Sequence, residues 1–337
     1  MLPKTLEEIA NYIVADGKGI LAADESTGTI EKRFKSIGVE STEGNRRKYR
    51  EMLFRSSAMT EAIGGVILFD ETLRQNAADG TPLREVILSH KSLPGIKVDQ
   101  GVQPFNGSDK EKITHGLDGL DERCKEYDNL GAKFTKWRAV INIGDSIPSN
   151  DCINDNMLSL AKYASIAQQN NMVPIVEPEV IMDGNHSVDQ CYDVTKNVLL
   201  KLFDLLEKEN VNIKGTLLKP NMIVSGTENE YQAPVQEVAE KTVECLKSSI
   251  PSDLPGVVFL SGGQSDLDAT AHLDAMNKIG GFNWKLSFSY GRALQQSALK
   301  TWLGKDENLN AAQNAFSHRA LMNKNAALGA WDQSQEG

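Results

Sequence analysis

The chain has 337 residues, 40% hydrophobic and 24% charged, so an ordinary globular core is available to it. Its formal net charge of −10 excludes nucleic acid and an anionic membrane as its main partner, and makes any cluster of Lys and Arg informative against the opposing background. Five scattered histidines and four cysteines (Cys124, Cys152, Cys191, Cys245) show neither ligand spacing nor a CxxC pair, which argues against a metal or cofactor and for free thiols in a reducing compartment. No apolar run is long enough to span a bilayer, and Met1-Leu2-Pro3-Lys4 does not open a secretory leader, so the expectation is a cytoplasmic chain.

The first predicted strand, 19–24, is an apolar run ending on Asp24. A lone Asp at such an end is ordinarily a turn or cap residue, and it gains functional weight here only from what the other strands end on. Ser26, Thr29, Lys32 and Arg33 follow and suit a phosphate, although Lys32 and Arg33 could equally decorate a helix. A helical segment, 43–63, leads to strand 65–70, whose Asp70 reads as structural. Strand 96–99 carries Lys97 and Asp99 at i and i+2, hence on one face; an ion pair lining the interior and a catalytic pair fit equally well.

The next helical segment, 116–130, has Thr114 and Asp118 in its predicted N-cap neighbourhood. Strand 133–143 then places Lys136 and Arg138 on one face, either side of Trp137. On a sheet edge they would be solvated, but a closed barrel has no edge, and inward cations there need an anion. After helical segment 154–170, strand 173–180 sets Glu177 and Glu179 on one face, with Pro174 and Pro178 interrupting its ladder. Two adjacent carboxylates tend to separate into an acid and an ion-pair partner, and a salt-bridge ladder with Lys136 and Lys219 is compatible with that. In segment 188–210, Val194, Val198, Leu202, Leu205 and Leu206 recur at helical spacing behind a predicted cap at Ser187.

Strand 215–221 holds the most informative residue, Lys219, in an apolar run. A buried ammonium is costly unless it is paired or gives up its proton, and the neutral amine is a nucleophile. Helical segment 234–250 precedes strand 257–262 and the turn Ser261-Gly262-Gly263-Gln264-Ser265, whose glycines let backbone N–H groups approach a phosphate at the start of helix 266–278. Strand 285–290 closes with Ser289, Gly291 and Arg292, a second phosphate-type turn bearing a guanidinium.

Eight strand-then-helix units predict a single-domain (β/α)8 barrel over 1–324, followed by a short polar C-terminal tail, 325–337, of which 331–337 is expected to be mobile. A doubly wound sheet is the rival. Only a closed ring, however, brings the polar ends of strands one, three, five, six, seven and eight to one mouth. There a nucleophilic amine, two carboxylates and anion-holding cations suggest chemistry on an anionic carbonyl compound.

The stretches GILAADESTGTIEKRF, GIKVD, KWRAVI, QQNNMVPIVEPE, GTLLKPNM, GVVFLSGGQS and SFSYGRALQ closely resemble the class I fructose-bisphosphate aldolases, from about Gly17 to Lys324. The resemblance implies a metal-free barrel, commonly a homotetramer, that cleaves fructose 1,6-bisphosphate through a Schiff-base lysine in glycolysis and gluconeogenesis. It implies Lys219 as that lysine, Glu177 as proton shuttle, Lys136 as a like charge favouring the neutral amine, Glu179 as its neighbour, and Asp24 as partner of the hydroxyls flanking the cleaved bond. Ser261, Gly262, Gly263, Ser289, Gly291 and Arg292 would hold one phosphate of the sugar phosphate, and Ser26, Arg33, Lys97 and Arg138 the rest of the sugar and its far phosphate. Many eukaryotic members end in a longer extension closing with a tyrosine that helps exchange a proton on the enamine carbon. The last tyrosine here is Tyr290, so another group is expected to perform that step, or the step to be slow. Gln100 also replaces the lysine of the animal enzymes after GIKVD. Other Schiff-base barrels, transaldolase-like or keto-acid aldolases, would need only one phosphate site. A non-catalytic scaffold would have no use for a destabilising charge cluster.

Overall fold

The computed structural model describes residues 3–337. Eight strands alternate with helices: β1 (Gly19–Ala23), β2 (Ile63–Leu68), β3 (Leu93–Lys97), β4 (Phe134–Ile141), β5 (Val173–Val180), β6 (Leu217–Leu218), β7 (Gly256–Phe259) and β8 (Lys285–Tyr290). All pairings among them are parallel, and β8 returns to β1, closing the barrel. The doubly wound alternative, which leaves two open edges, is thereby excluded.

The period of two along a strand decides what faces the barrel axis. One interior cluster contains Ile20 and Ala22 of β1, Phe134 of β4, Ile175 of β5 and Leu217 of β6. Two residues further along the same parity come Asp24, Lys136, Glu177 and Lys219. Each of these strands is therefore apolar in the lower barrel and charged at its carboxyl end. Register aligns the charged rungs, with Lys97 beside Lys136 and Arg138 beside Glu177. The ring of Phe134 fills the space above Gly65 and Gly95; a Cβ on Gly95 would stand 2.3 Å from it. The helix Leu6–Ile13 closes the opposite end, with Ile9, Ala10, Ile13 and Val14 packed into the interior cluster. A larger cluster fills the layer between strands and helices. In the helix Val188–Lys208 it takes Val198, Leu202, Leu205 and Leu206, and Ser187 caps that helix reciprocally with Gln190.

Four features depart from the sequence reading. Thr114 caps nothing: it lies in Lys112–Thr114, paired antiparallel with Val102–Pro104, and its hydroxyl donates to the Arg138 carbonyl at 2.7 Å. The helix that follows, Leu120–Asn129, starts after Gly119, which sits at φ 64°. Strand β6 has only two residues because Lys219 N–H completes the pairing to the Val176 carbonyl and Pro220 has no N–H to extend it. The terminal residues are docked rather than mobile. Helix Leu309–Ala327 runs beyond position 324, Trp331 Nε1 donates to Glu336 Oε1 at 2.8 Å, and Glu336 Oε2 pairs with the buried Arg319 guanidinium. Among the described residues no helix is long and apolar enough to cross a membrane.

Candidate active site

The carboxyl ends of the strands surround a cleft of about 710 Å³. Lys219 emerges from β6 beside Glu177 of β5, its Nζ 3.2 Å from Oε1. Both side chains are about 5% exposed, which places the pair at the dry floor of the cleft, where a proton transferred between them is not lost to bulk water. The other oxygen of Glu177, Oε2, is buried and accepts no hydrogen bond from the protein; Lys136 Nζ stands 3.5 Å from it.

Lys136 is the hub of the charge cluster. Its Nζ lies 2.7 Å from Asp24 Oδ2 and 3.8 Å from Asp99 Oδ2 as well as near Glu177. Burial alone would loosen its proton, but Asp24, Glu177 and Asp99 together hold its titration above the ordinary lysine range. Conversely, burial would raise the Asp24 carboxyl, yet the ammonium groups of Lys136 and Lys219 bring it down to about 2. The group Lys219 meets directly is Glu177. Asp99, read as an even choice between structure and chemistry, clamps Lys97 through its carboxylate at 2.6 Å and its carbonyl at 2.7 Å. Glu179 pairs with Arg138; burial, reinforced by Glu177, still pushes the Glu179 carboxyl upward.

On one side of the cleft stand Ser261, Gly262, Ser289, Gly291 and Arg292. Ser289 Oγ is buried with no partner in the protein, a donor held in reserve for a ligand. Gly262 and Gly263 adopt φ of +62° and +116°, which require glycine. Gly263 does not line the cleft; it leaves room for Arg292, whose Nη2 would stand 3.2 Å from a Cβ added there. The helix expected to lend its N-terminus, Asp266–Ile279, is already capped by Ser265 and carries Asp266 and Asp268 in its first turn. The helix Arg292–Trp302 has an uncapped start at Gly291 and no acid in its first turn, so it is the better anion-facing end.

Ser26, Thr29, Arg33, Lys97 and Arg138 line the rest of the cleft, whereas Lys32 is exposed and lies outside it. Two residues escaped the sequence reading. Glu25, buried at 7%, accepts from Arg33 and from Gln295 Nε2 at 3.0 Å. Arg50, 1% exposed, donates to the Glu25 carbonyl at 2.8 Å. The only sign of Glu25 in the sequence was its adjacency to Asp24, and Arg50 gave none. Among the described residues, no group of three or more His, Cys, Asp and Glu side chains could hold a metal ion.

A family model described as "Glycolytic: Fructose-bisphosphate aldolase class-I" matches residues 5–337. The chain belongs to the class-I fructose-bisphosphate aldolase family. It is 54% identical over 328 residues to the "Probable fructose-bisphosphate aldolase class 1" of Xanthomonas axonopodis pv. citri (strain 306), covering 97% of this chain and 98% of that one. It is 52% identical over 328 residues to "Fructose-bisphosphate aldolase 6, cytosolic" of Arabidopsis thaliana, covering 96% and 91%. The fructose-bisphosphate aldolase from Plasmodium falciparum, solved in complex with TRAP and a small molecule inhibitor, aligns with a TM-score of 0.95 and 47% identity, covering 97% of this chain and 95% of that one. The activity of the chain is the reversible cleavage of fructose 1,6-bisphosphate to dihydroxyacetone phosphate and glyceraldehyde 3-phosphate, through the lysine Schiff base general to class I.

Proposed function

We propose that Lys219 is the Schiff-base lysine and Glu177 its proton shuttle. The observation that carries this is their 3.2 Å contact at the cleft floor, with the second oxygen of Glu177 left without a hydrogen bond. Glu177 Oε1 takes a proton from the ammonium, and the neutral Nζ attacks the ketose carbon C2. Glu177 returns a proton to the departing hydroxyl, water leaves, and the protonated imine stands at C2. Glu177 then accepts the C4 hydroxyl proton; the C3–C4 bonding pair moves into the imine, leaving an enamine and a free aldehyde. Protonation at C3 and hydrolysis of the imine release the second product. Asp24, ionised throughout the neutral range, accepts hydrogen bonds from the hydroxyls beside the broken bond, and Lys136 keeps both carboxylates compatible with burial. Glu179 fixes the Arg138 guanidinium.

Ser261, Gly262, Ser289, Gly291 and Arg292 hold the phosphate on the ketose side, with Gly263 making room for Arg292. Ser26, Arg33, Lys97 and Arg138 hold the far phosphate and the sugar between. Anchoring both ends aligns C2 with Lys219, and much of the acceleration arises from that alignment. The reading extends to a metal-free, cytoplasmic homotetramer acting on sugar phosphates. Borohydride added with dihydroxyacetone phosphate in EDTA should fix mass on the peptide containing Leu218-Lys219-Pro220, and Lys219→Ala should lose both labelling and activity. Label on another lysine, full activity of Lys219→Ala, or reversible loss of activity on chelation would overturn it.

A further inference from the structure

Behind the Ser261–Gly263 turn, a hydrogen-bonded chain runs to a buried imidazole that the mechanism does not use. Gln264 donates twice to the Ser261 carbonyl, from its backbone N–H at 2.9 Å and from its side-chain Nε2 at 3.0 Å. The same Nε2 lies 3.7 Å from the sulfur of Met222, three residues beyond Lys219. Because the amide nitrogen is committed to a carbonyl, the amide oxygen faces the other way, and it meets His272 Nδ1 at 2.6 Å. That orientation assigns the tautomer: Nδ1 carries the hydrogen and donates to Gln264 Oε1. His272 is 7% exposed on the helix Asp266–Ile279, and burial pushes its titration down to about 4, so the ring is neutral around pH 7.

The arrangement answers a need set by the backbone. Two successive glycines at positive φ give the turn little stiffness of its own, and a loose anion cradle has to be ordered each time a phosphate arrives. Neither Gln264 nor His272 lines the cleft. We propose that His272 is a positioning residue for phosphate binding: by holding the Gln264 side chain against the Ser261 carbonyl, it presets the Ser261–Gly263 backbone before substrate enters. The inference rests on the reading of this turn as a phosphate site and names what keeps that site in shape.

The test compares His272→Leu, which removes the donor at similar volume, with His272→Asn, whose side-chain amide can replace Nδ1–H. Active enzyme is counted in each case by borohydride labelling at Lys219. His272→Leu should raise KM for fructose 1,6-bisphosphate and the inhibition constant of inorganic phosphate by about fivefold, the net effect of one lost hydrogen bond, and His272→Asn should restore both to within about twofold. Gln264→Leu should reproduce the loss if His272→Leu does not fold. A purely structural histidine would tolerate Leu at least as well as Asn and would change the labelled fraction without moving KM. Unchanged KM in His272→Leu, or an Asn variant as impaired as Leu, would overturn the proposal. If Arg292→Ala and Ser289→Ala also leave KM and phosphate inhibition unchanged, the phosphate site itself is refuted; if they raise them while His272→Leu does not, the failure is confined to His272.

Discussion

Lys136→Met removes one charge from a cluster in which three carboxylates surround a buried ammonium at 2.7, 3.5 and 3.8 Å. At an effective dielectric of about 20, unit charges at those separations attract by about 6, 5 and 4 kcal/mol. The loss cannot reach that sum, because a stranded carboxylate can take up a proton. Starting from a carboxyl pKa near 3.9, this costs about 4 kcal/mol at pH 7. The expected destabilisation at pH 7 is therefore about 3–5 kcal/mol. Its pH dependence gives the sharper test. In the unaltered protein Asp24 titrates at about 2, below its ordinary 3.8, so its contribution is complete above the unfolded value and lost as pH falls through the folded one. In Lys136→Met burial is opposed by Lys219 and Lys97 alone, so the folded carboxyls titrate higher than in the parent and the folded variant binds more protons. Stability of the variant relative to its parent should then recover as pH falls from 7 to 5. Urea denaturation followed by tryptophan fluorescence, at one protein concentration and several pH values, measures the gap directly. A gap below about 1 kcal/mol at pH 7, or one that stays constant or widens toward pH 5, would refute the account of Lys136 as the electrostatic hub.

Arg292→Ala should raise KM for both the bisphosphate and fructose 1-phosphate by about 10-fold, the loss of one charge-assisted contact; an unchanged KM for both would show that the guanidinium serves another purpose. Gly95→Ala would force a methyl to 2.3 Å from the Phe134 ring and should cost about 1–3 kcal/mol by denaturant titration, part of it regained when Phe134→Leu is added. The four cysteines are buried, and burial raises the thiols of Cys124 and Cys245 to about 12 and those of Cys152 and Cys191 to about 11. Ellman's reagent should accordingly find no fast-reacting thiol at pH 8 until the protein is unfolded.

The barrel and most of the residues gathered in the candidate site were legible because both depend on a two-residue period. Lys136 and Arg138, Glu177 and Glu179, and Lys97 and Asp99 each declare a shared face, and the apolar residues two places before Lys136 and Glu177, Phe134 and Ile175, lie in the interior cluster. What periodicity cannot carry is a contact closed by distant chain. Arg50 reaches the Glu25 carbonyl across 25 residues, and Glu25 in turn holds Arg33. Strands of three residues, such as Val102–Pro104 and Lys112–Thr114, are too short to alternate visibly, so a cap was read where a hairpin stands. The polarity of residues 331–337 suggested freedom, but Glu336 accepts from Trp331 and pairs with a buried arginine that composition could not announce. Lys219 as the proposed reactive position came from chemistry rather than period, since a lysine in an apolar run demands an explanation.

The helix Leu6–Ile13, wedged into the lower barrel, makes the interior a blind alley. Among the described residues the barrel has no back door, so arrival and departure share one threshold and traffic must queue. With Lys219 as the proposed Schiff-base lysine, the ketose-derived fragment is tethered at the dead end during cleavage, while the aldehyde fragment is free. The order of departure follows from the tether: the untethered aldehyde goes first, and the tethered piece leaves only after water has come in by the same route to release it.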